Sequence, residues 1–173
     1  MPHQNDLVIA TVHHSSTDFY HVALSPHTSF AVLPQLAFEN ATRKTRPILP
    51  QGALVYAQVT ATSKHMDTEL TCVSTSTGKA DGMGQLKGGM VFDLSLGMAR
   101  RLMMGKGGGV VVLDLLAERV GFEVAVGRNG KIWVKAKDVK TTIAIGKVIQ
   151  ETDEKAYDEK EQKECAKKAL RLL

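Results

Sequence analysis

Cysteine is almost absent from this 173-residue chain, which holds only Cys72 and Cys165. One lies in a strand-like run and the other in a charged helical stretch, so neither a disulfide framework nor a four-ligand zinc site can be built. No run of 18 apolar residues occurs, and the opening Met1, Pro2, His3, Gln4, Asn5 and Asp6 lack the basic-then-apolar order of a secretion signal. Neither a helical membrane span nor export is expected, and the chain reads as intracellular. Carboxylates are scattered singly through residues 1–150, leaving no acidic cluster for metal-assisted hydrolysis. What remains is room for one ordinary domain or two small ones, since domains run to about 100–150 residues.

Positive charge is unevenly placed. Residues 79–150 carry twelve Lys and Arg against six Asp and Glu, whereas residues 1–78 and 151–173 are each net −1. A local positive field suits a polyanion such as nucleic acid, although a solvated surface tolerates the same density of cations.

Five short stretches, Leu7–Val12, Asp18–Leu24, Ser29–Leu33, Ala53–Ala61 and Glu69–Val73, are rich in β-branched or aromatic residues and separated by turn residues. Five strands in about 70 residues predict an all-β barrel of the OB-fold type over residues 1–75, a closed sheet with no free edge. Residues 76–89, dense in Gly and small polar side chains, are expected to be a linker. Beyond it the pattern changes to an α+β unit over residues 90–150. Val91–Ser95 reads as a strand. Leu96, Ala99 and Met103 then share a helical face, as do Val112, Leu115, Leu116 and Val120 after an intervening Gly run. Phe122–Val126 and Lys131–Ala136 alternate about an Asn-Gly turn, for which a type I′ hairpin is predicted. Asp138 is a plausible N-cap for a last helix with Val139, Ile143, Gly146 and Ile149 on one face. Residues 151–173 alternate charge in i, i+4 pairs, as in a solvated helix or frayed tail.

Strand, helix, helix, strand, strand, helix is the order of a KH domain. Its G-x-x-G loop clamps nucleic-acid backbone because glycines let phosphates approach main-chain N–H groups at a helix N-terminus. Gly105, Lys106, Gly107 and Gly108 fit that loop, and they equally fit glycines that merely end one helix and begin another. In the strand Lys131–Ala136, alternation sends Ile132, Val134 and Ala136 to one face and Lys131, Trp133 and Lys135 to the other. The second face can stack a base between two cations, or Trp133 can be buried under lysine stems, the commoner fate of a large aromatic. In the barrel, Tyr20, Val22 and Leu24 should face inward, leaving Phe19 and His21 on the surface that OB-folds offer to single strands. Arg43, Lys44, Arg46 and Lys64 are candidate phosphate contacts from loops, where solvated cations are equally at home.

Catalytic motifs fail in detail. Thr77, Gly78, Lys79 and Ala80 lack the Ser or Thr that ends a P-loop, and Gly105–Val110 misses the last Gly of a dinucleotide fingerprint. His13 and His14 are adjacent in a strand and expected on opposite faces, against chelation by the pair. No G-x-S-x-G occurs. No enzyme activity, metal or cofactor is expected.

Asp18, Phe19, Tyr20, His21 and Val22, followed by Leu36–Pro47 with its Asn40, Ala41, Thr42, Arg43, Lys44, Thr45 and Arg46, resemble the S1-type barrel of the RNA exosome cap subunits. Gly82–Gly84, Leu96–Leu102 and above all Gly127, Arg128, Asn129, Gly130, Lys131, Ile132, Trp133, Val134, Lys135 and Ala136 resemble the KH half of the same family. The resemblance covers residues 5–150. It implies a non-catalytic subunit that binds single-stranded RNA. Such a subunit sits on a ring of RNase PH-like proteins and guides RNA into it for 3′-to-5′ processing and degradation, including that of ribosomal RNA, in nucleus, nucleolus and cytoplasm. It also implies that Gly127, Asn129, Gly130 and Trp133 are structural, the turn packing the two modules together. A protein scaffold with little RNA affinity is the alternative. Family members carry a further domain ahead of the barrel, so a fragment or short form is expected. They also usually lack a working G-x-x-G, which leaves the role of Gly105–Gly108 open.

Overall fold

A computed structural model describes residues 2–173. The chain separates into two compact units, one of residues up to Lys87 with Gly127–Asn129, the other of Gly88–Val126 with Gly130–Leu173.

All five predicted strands form in the first unit: β1 (Leu7–Ser15), β2 (Phe19–Ala23), β3 (Ala31–Pro34), β4 (Leu54–Ala61) and β5 (Glu69–Thr71). They pair in the order β1, β2, β3, β5, β4, and β1 also pairs antiparallel with β4, from Leu7 opposite Gln58 to Thr11 opposite Leu54. That last pairing closes the barrel and removes its open edges. The β3–β5 pair is parallel, the others antiparallel. Val8, Ala10, Val12, Tyr20, Val22, Leu24, Leu33, Val55 and Leu70 fill the interior, as alternation required. A short strand β6 (Gly84–Leu86) adds to β4 inside the stretch expected to be a linker. Three residues have no periodicity to read, and the positive φ angles of Gly82, Gly84, Gly88 and Gly89 show that the glycines serve turns around that strand.

The second unit begins with β7 (Met90–Asp93), followed by α1 (Leu96–Met103), a 3₁₀ turn over Gly105–Gly108 and α2 (Val112–Ala117). A hairpin of β8 (Phe122–Gly127) and β9 (Lys131–Ala136) leads to α3 (Val139–Glu154) and α4 (Glu159–Arg171). Its sheet runs β7, β9, β8, and Met98, Val112, Leu116, Ile132, Val134, Ile145 and Ile149 form the core beneath the helices. Asp138 caps α3 as predicted, its carboxylate accepting from the Thr141 amide.

Three expectations are corrected. The buried face of α1 is Met98 and Ala99, with Leu96 exposed. On α3, Val139 is exposed and the buried stripe runs through Thr141, Thr142, Ile145, Gly146, Val148, Ile149 and Thr152. Threonine is tolerated there because its hydroxyl is satisfied locally: Thr142 Oγ1 donates to the Asp138 carbonyl and Thr152 Oγ1 to that of Val148. Gly146 stays in the stripe because the Phe92 ring lies where a Cβ would be. The third correction concerns residues 151–173: of the two alternatives, helix or frayed tail, the helix forms, but it is not wholly solvated. Asp158 and Glu161 form a reciprocal capping box, and α4 buries Gln162 and Ala166. The Gln162 amide accepts from the Val111 N–H at 2.9 Å and donates to the Gly109 and Tyr157 carbonyls at 3.1 and 3.0 Å.

Candidate nucleic-acid interface

Strand β2 turns Tyr20 and Val22 inward and leaves Phe19 40% exposed, with His21 half-buried. The inward Tyr20 is also a brace: its hydroxyl donates to the Pro47 carbonyl at 2.7 Å and accepts from the Leu49 amide at 3.2 Å. Beside His21 the structure places rings that sequence reasoning missed. The β1–β2 register shifts between Val12 and His14, a bulge that breaks the alternation on which His13 and His14 were assigned to opposite faces. Their Nδ1 atoms instead lie 3.1 Å apart. His14 stacks on His21 with centroids 4.3 Å apart and 10° between planes, and His13 lies 4.5 Å from the exposed ring of Phe30. Desolvation within the stack, then the nearby His21 and His13, hold His14 below its ordinary value of 6.5. These rings form a continuous exposed face of π-systems. The bulge carries no sequence signal, and Phe30 gave only the weak one of an aromatic at a strand's entrance.

Cations lie on the loops of the same unit. Arg43 and Lys44 are exposed on a tight turn held by Thr42 and Thr45, each amide donating to the other's hydroxyl, while Arg46 is half-buried. Lys64 is exposed between β4 and β5. None of the four makes an ion pair among the described residues.

The second unit uses its candidate residues differently. Gly105–Gly108 is a 3₁₀ turn followed by Gly109 with φ of 69°, not a loop running into a helix N-terminus. Arg101 Nε donates to the Gly108 carbonyl at 2.9 Å, and a Cβ on Gly108 would strike the backbone of Arg101. The next helix starts only at Val112, is six residues long, and has its Val111 amide taken by Gln162. No phosphate clamp at a helix N-terminus is built here, and Lys106 simply projects into solvent. Trp133 is 5% exposed, and its indole N–H donates to the Gly88 carbonyl at 2.8 Å. Of its neighbours, Lys131 pairs with Asp93 directly across the sheet at 2.9 Å, and Lys135 remains exposed. The predicted basic-aromatic-basic face therefore lacks its aromatic.

The hairpin tip has a geometry different from that predicted. Gly130 alone has positive φ, at 78°, so the connection is a three-residue loop ending in left-handed glycine and not a type I′ turn. Asn129 is fixed by hydrogen bonds within the first unit: Nδ2 donates to the Ile9 and Leu24 carbonyls at 2.9 and 2.8 Å, and Oδ1 accepts from the Ile9 amide at 3.2 Å. Gly127 has no room for a Cβ against Ile9. Among the described residues no group of three or more His, Cys, Asp or Glu side chains is placed to hold a metal, and no helix is long and apolar enough to cross a membrane.

Residues 1–84 match the family described as exosome complex component RRP40, S1 domain, and residues 89–140 match a KH domain family. The exosome complex component rrp40 of Schizosaccharomyces pombe is 41% identical over 167 residues, covering 95% of this chain and 67% of that protein. RRP40 of Saccharomyces cerevisiae is 39% identical, covering 90% of this chain and 64% of the relative, and that of Homo sapiens is 31% identical, covering 94% and 58%. The chain thus spans about two thirds or less of the length of these relatives. The fold is also that of a crystal structure of a protein provisionally assigned as an exosome complex RNA-binding protein, with a TM-score of 0.76 at 23% identity over 99% of this chain and 95% of the other. With an S1 barrel and a KH unit in that order, and 41% identity to one RRP40 along nearly its whole length, this chain belongs to the RRP40 family of exosome complex components.

Proposed function

We propose that the chain is a non-catalytic RNA-binding subunit of the exosome cap, which sits on a ring of RNase PH-like proteins and guides single-stranded RNA into it for 3′-to-5′ processing and degradation. Ribosomal RNA is among the substrates, and the sites of action are nucleus, nucleolus and cytoplasm. The observation that carries the proposal is the exposed ring face of the barrel, where His13, His14, His21 and Phe30 lie within stacking distance of one another and Phe19 stands two residues from His21 on β2. Aromatic and imidazole faces take any base by stacking, and the unpaired Arg43 and Lys44 suit its phosphates.

The test is fluorescence anisotropy of a short oligo-uridine against the whole chain across a salt series, with duplex DNA as control. Binding of RNA with a slope of about 0.7 per phosphate contact, and weaker binding of the duplex, is expected. No binding at low salt, or equal affinity for the duplex, would sink the proposal.

A second reading, a scaffold with little RNA affinity of its own, is favoured for the α+β unit by the burial of Trp133 and the Asp93–Lys131 pair. Under it, oligo-uridine affinity is unchanged by Lys106→Glu and weakened by Phe19→Ala.

A further inference from the structure

Helix α4 lies outside both matched domain families, and it carries a row of exposed cations. Lys163, Lys167 and Arg171 recur at i, i+4 and i+8, so they form one stripe along the helix, and all three are exposed. The stripe borders a cleft of about 880 Å³ that is completed by the end of α2 and the entrance to α3, which add Arg119 and Lys137. None of these five cations makes an ion pair among the described residues. Among the described residues that line the cleft, the acidic side chains are Glu118 and Asp138, and the second is committed to capping α3 through the Thr141 amide.

The floor of the cleft decides what kind of anion fits. It is aliphatic, formed by half-buried Leu115, Val120 and Leu170 with buried Ala166, and no Phe, Tyr or Trp lines it. Single-stranded RNA is held by cations together with aromatic stacking, and the second element is missing here. A protein segment with apolar side chains on one face and carboxylates on the other satisfies both parts of the site: its apolar side chains cover the floor, and its acids meet the rim. We propose that this cleft docks an acidic amphipathic segment of a partner protein, independently of the ring face on the barrel.

The test selects a library of random peptides about twelve residues long on the whole chain, then measures the most enriched peptide by anisotropy. Enriched sequences are expected to pair Leu or Ile with several Asp or Glu. Against the triple variant Lys163→Glu, Lys167→Glu and Arg171→Glu, their affinity should fall at least about tenfold, with circular dichroism unchanged. The triple Gln variant, which removes the charge without reversing it, should show a smaller loss, and Leu170→Ser should weaken the peptide at constant charge. Oligo-uridine affinity should stay as in the wild type for all three variants. Enrichment without acidic residues, or peptide binding indifferent to these changes, would overturn the proposal. So would loss of oligo-uridine binding in the charge variants, which would make the cleft an RNA groove instead.

Discussion

The barrel leaves one cluster of aromatic and imidazole rings outside, whereas the α+β unit takes its one indole inside. In the barrel the interior is filled mainly by Val, Leu and Ala together with Tyr20 and Phe38, and Phe19, Phe30, His13 and His14 are left at the surface with His21 half-buried beside them. In the second unit Trp133 supports the β9–β7 edge through its bond to Gly88, and the glycines meant for phosphate are occupied by Arg101. Two units that read alike as RNA-binding modules therefore differ in what they leave available. A residue's type nominates it for stacking, and only its exposure and free hydrogen-bonding groups qualify it.

The difference can be broken most forcefully at Trp133. Trp133→Ala should cost about 3–5 kcal/mol of stability in urea unfolding, the range for truncating a buried large aromatic, while the folded fraction keeps its oligo-uridine affinity. An affinity loss larger than the unfolded fraction explains would place the indole among the contacts. Gln162→Leu should cost about 1–3 kcal/mol, because the Val111 amide and the Gly109 and Tyr157 carbonyls lose their partner. An unchanged midpoint would mean that α4 contributes nothing to the second unit.

Phe19→Ala is the converse of Trp133→Ala. Stability should change by less than about 0.5 kcal/mol, as at an ordinary surface position, and RNA binding should weaken by about 1–3 kcal/mol through lost stacking. Arg43→Glu should lower the salt slope by roughly one contact without altering the melting temperature, and an unchanged slope would remove that residue from the interface.

The smallest effect is one of pH. His14 is held below 6.5 in the fold, so the unfolded chain takes up its proton first, and acidification below 6.5 lowers the barrel's stability. A bound phosphate has the opposite preference and favours imidazolium, so RNA affinity should rise over the same window. Paired melting and anisotropy series would show the two curves diverging in the wild type and flattening in His14→Gln; parallel curves would mean that RNA does not approach the stack.

Much of this was legible in the chain itself. Strands β1 to β5 and the inward set Tyr20, Val22 and Leu24 follow from β-branched runs and period-two alternation, which are local properties. The strand-helix-helix-strand-strand-helix order followed from the change of period after residue 90, and the α3 cap from Asp138 standing before it. The helix faces were less legible, since hydrophobicity alone did not rank Thr142 and Thr152 above Val139. Their burial depends on hydroxyls finding carbonyls one turn back, which the apolar pattern does not register.

The barrel, the order of the second unit, the family, and Phe19 and the loop cations as outward-facing candidates all follow from local patterns in the chain. That His13 and His14 share a site emerges only in the folded molecule, because one extra residue in a ladder reverses the side to which everything after it points. Folding likewise brings Gly108 to Arg101 and Trp133 to Gly88, partners 7 and 45 residues away in sequence, and sets the cations of α4 beside a common cleft with Arg119 and Lys137. Alternation and propensity act between near neighbours, while exposure, pairing and cleft formation depend on which distant segments fill the space beside a side chain.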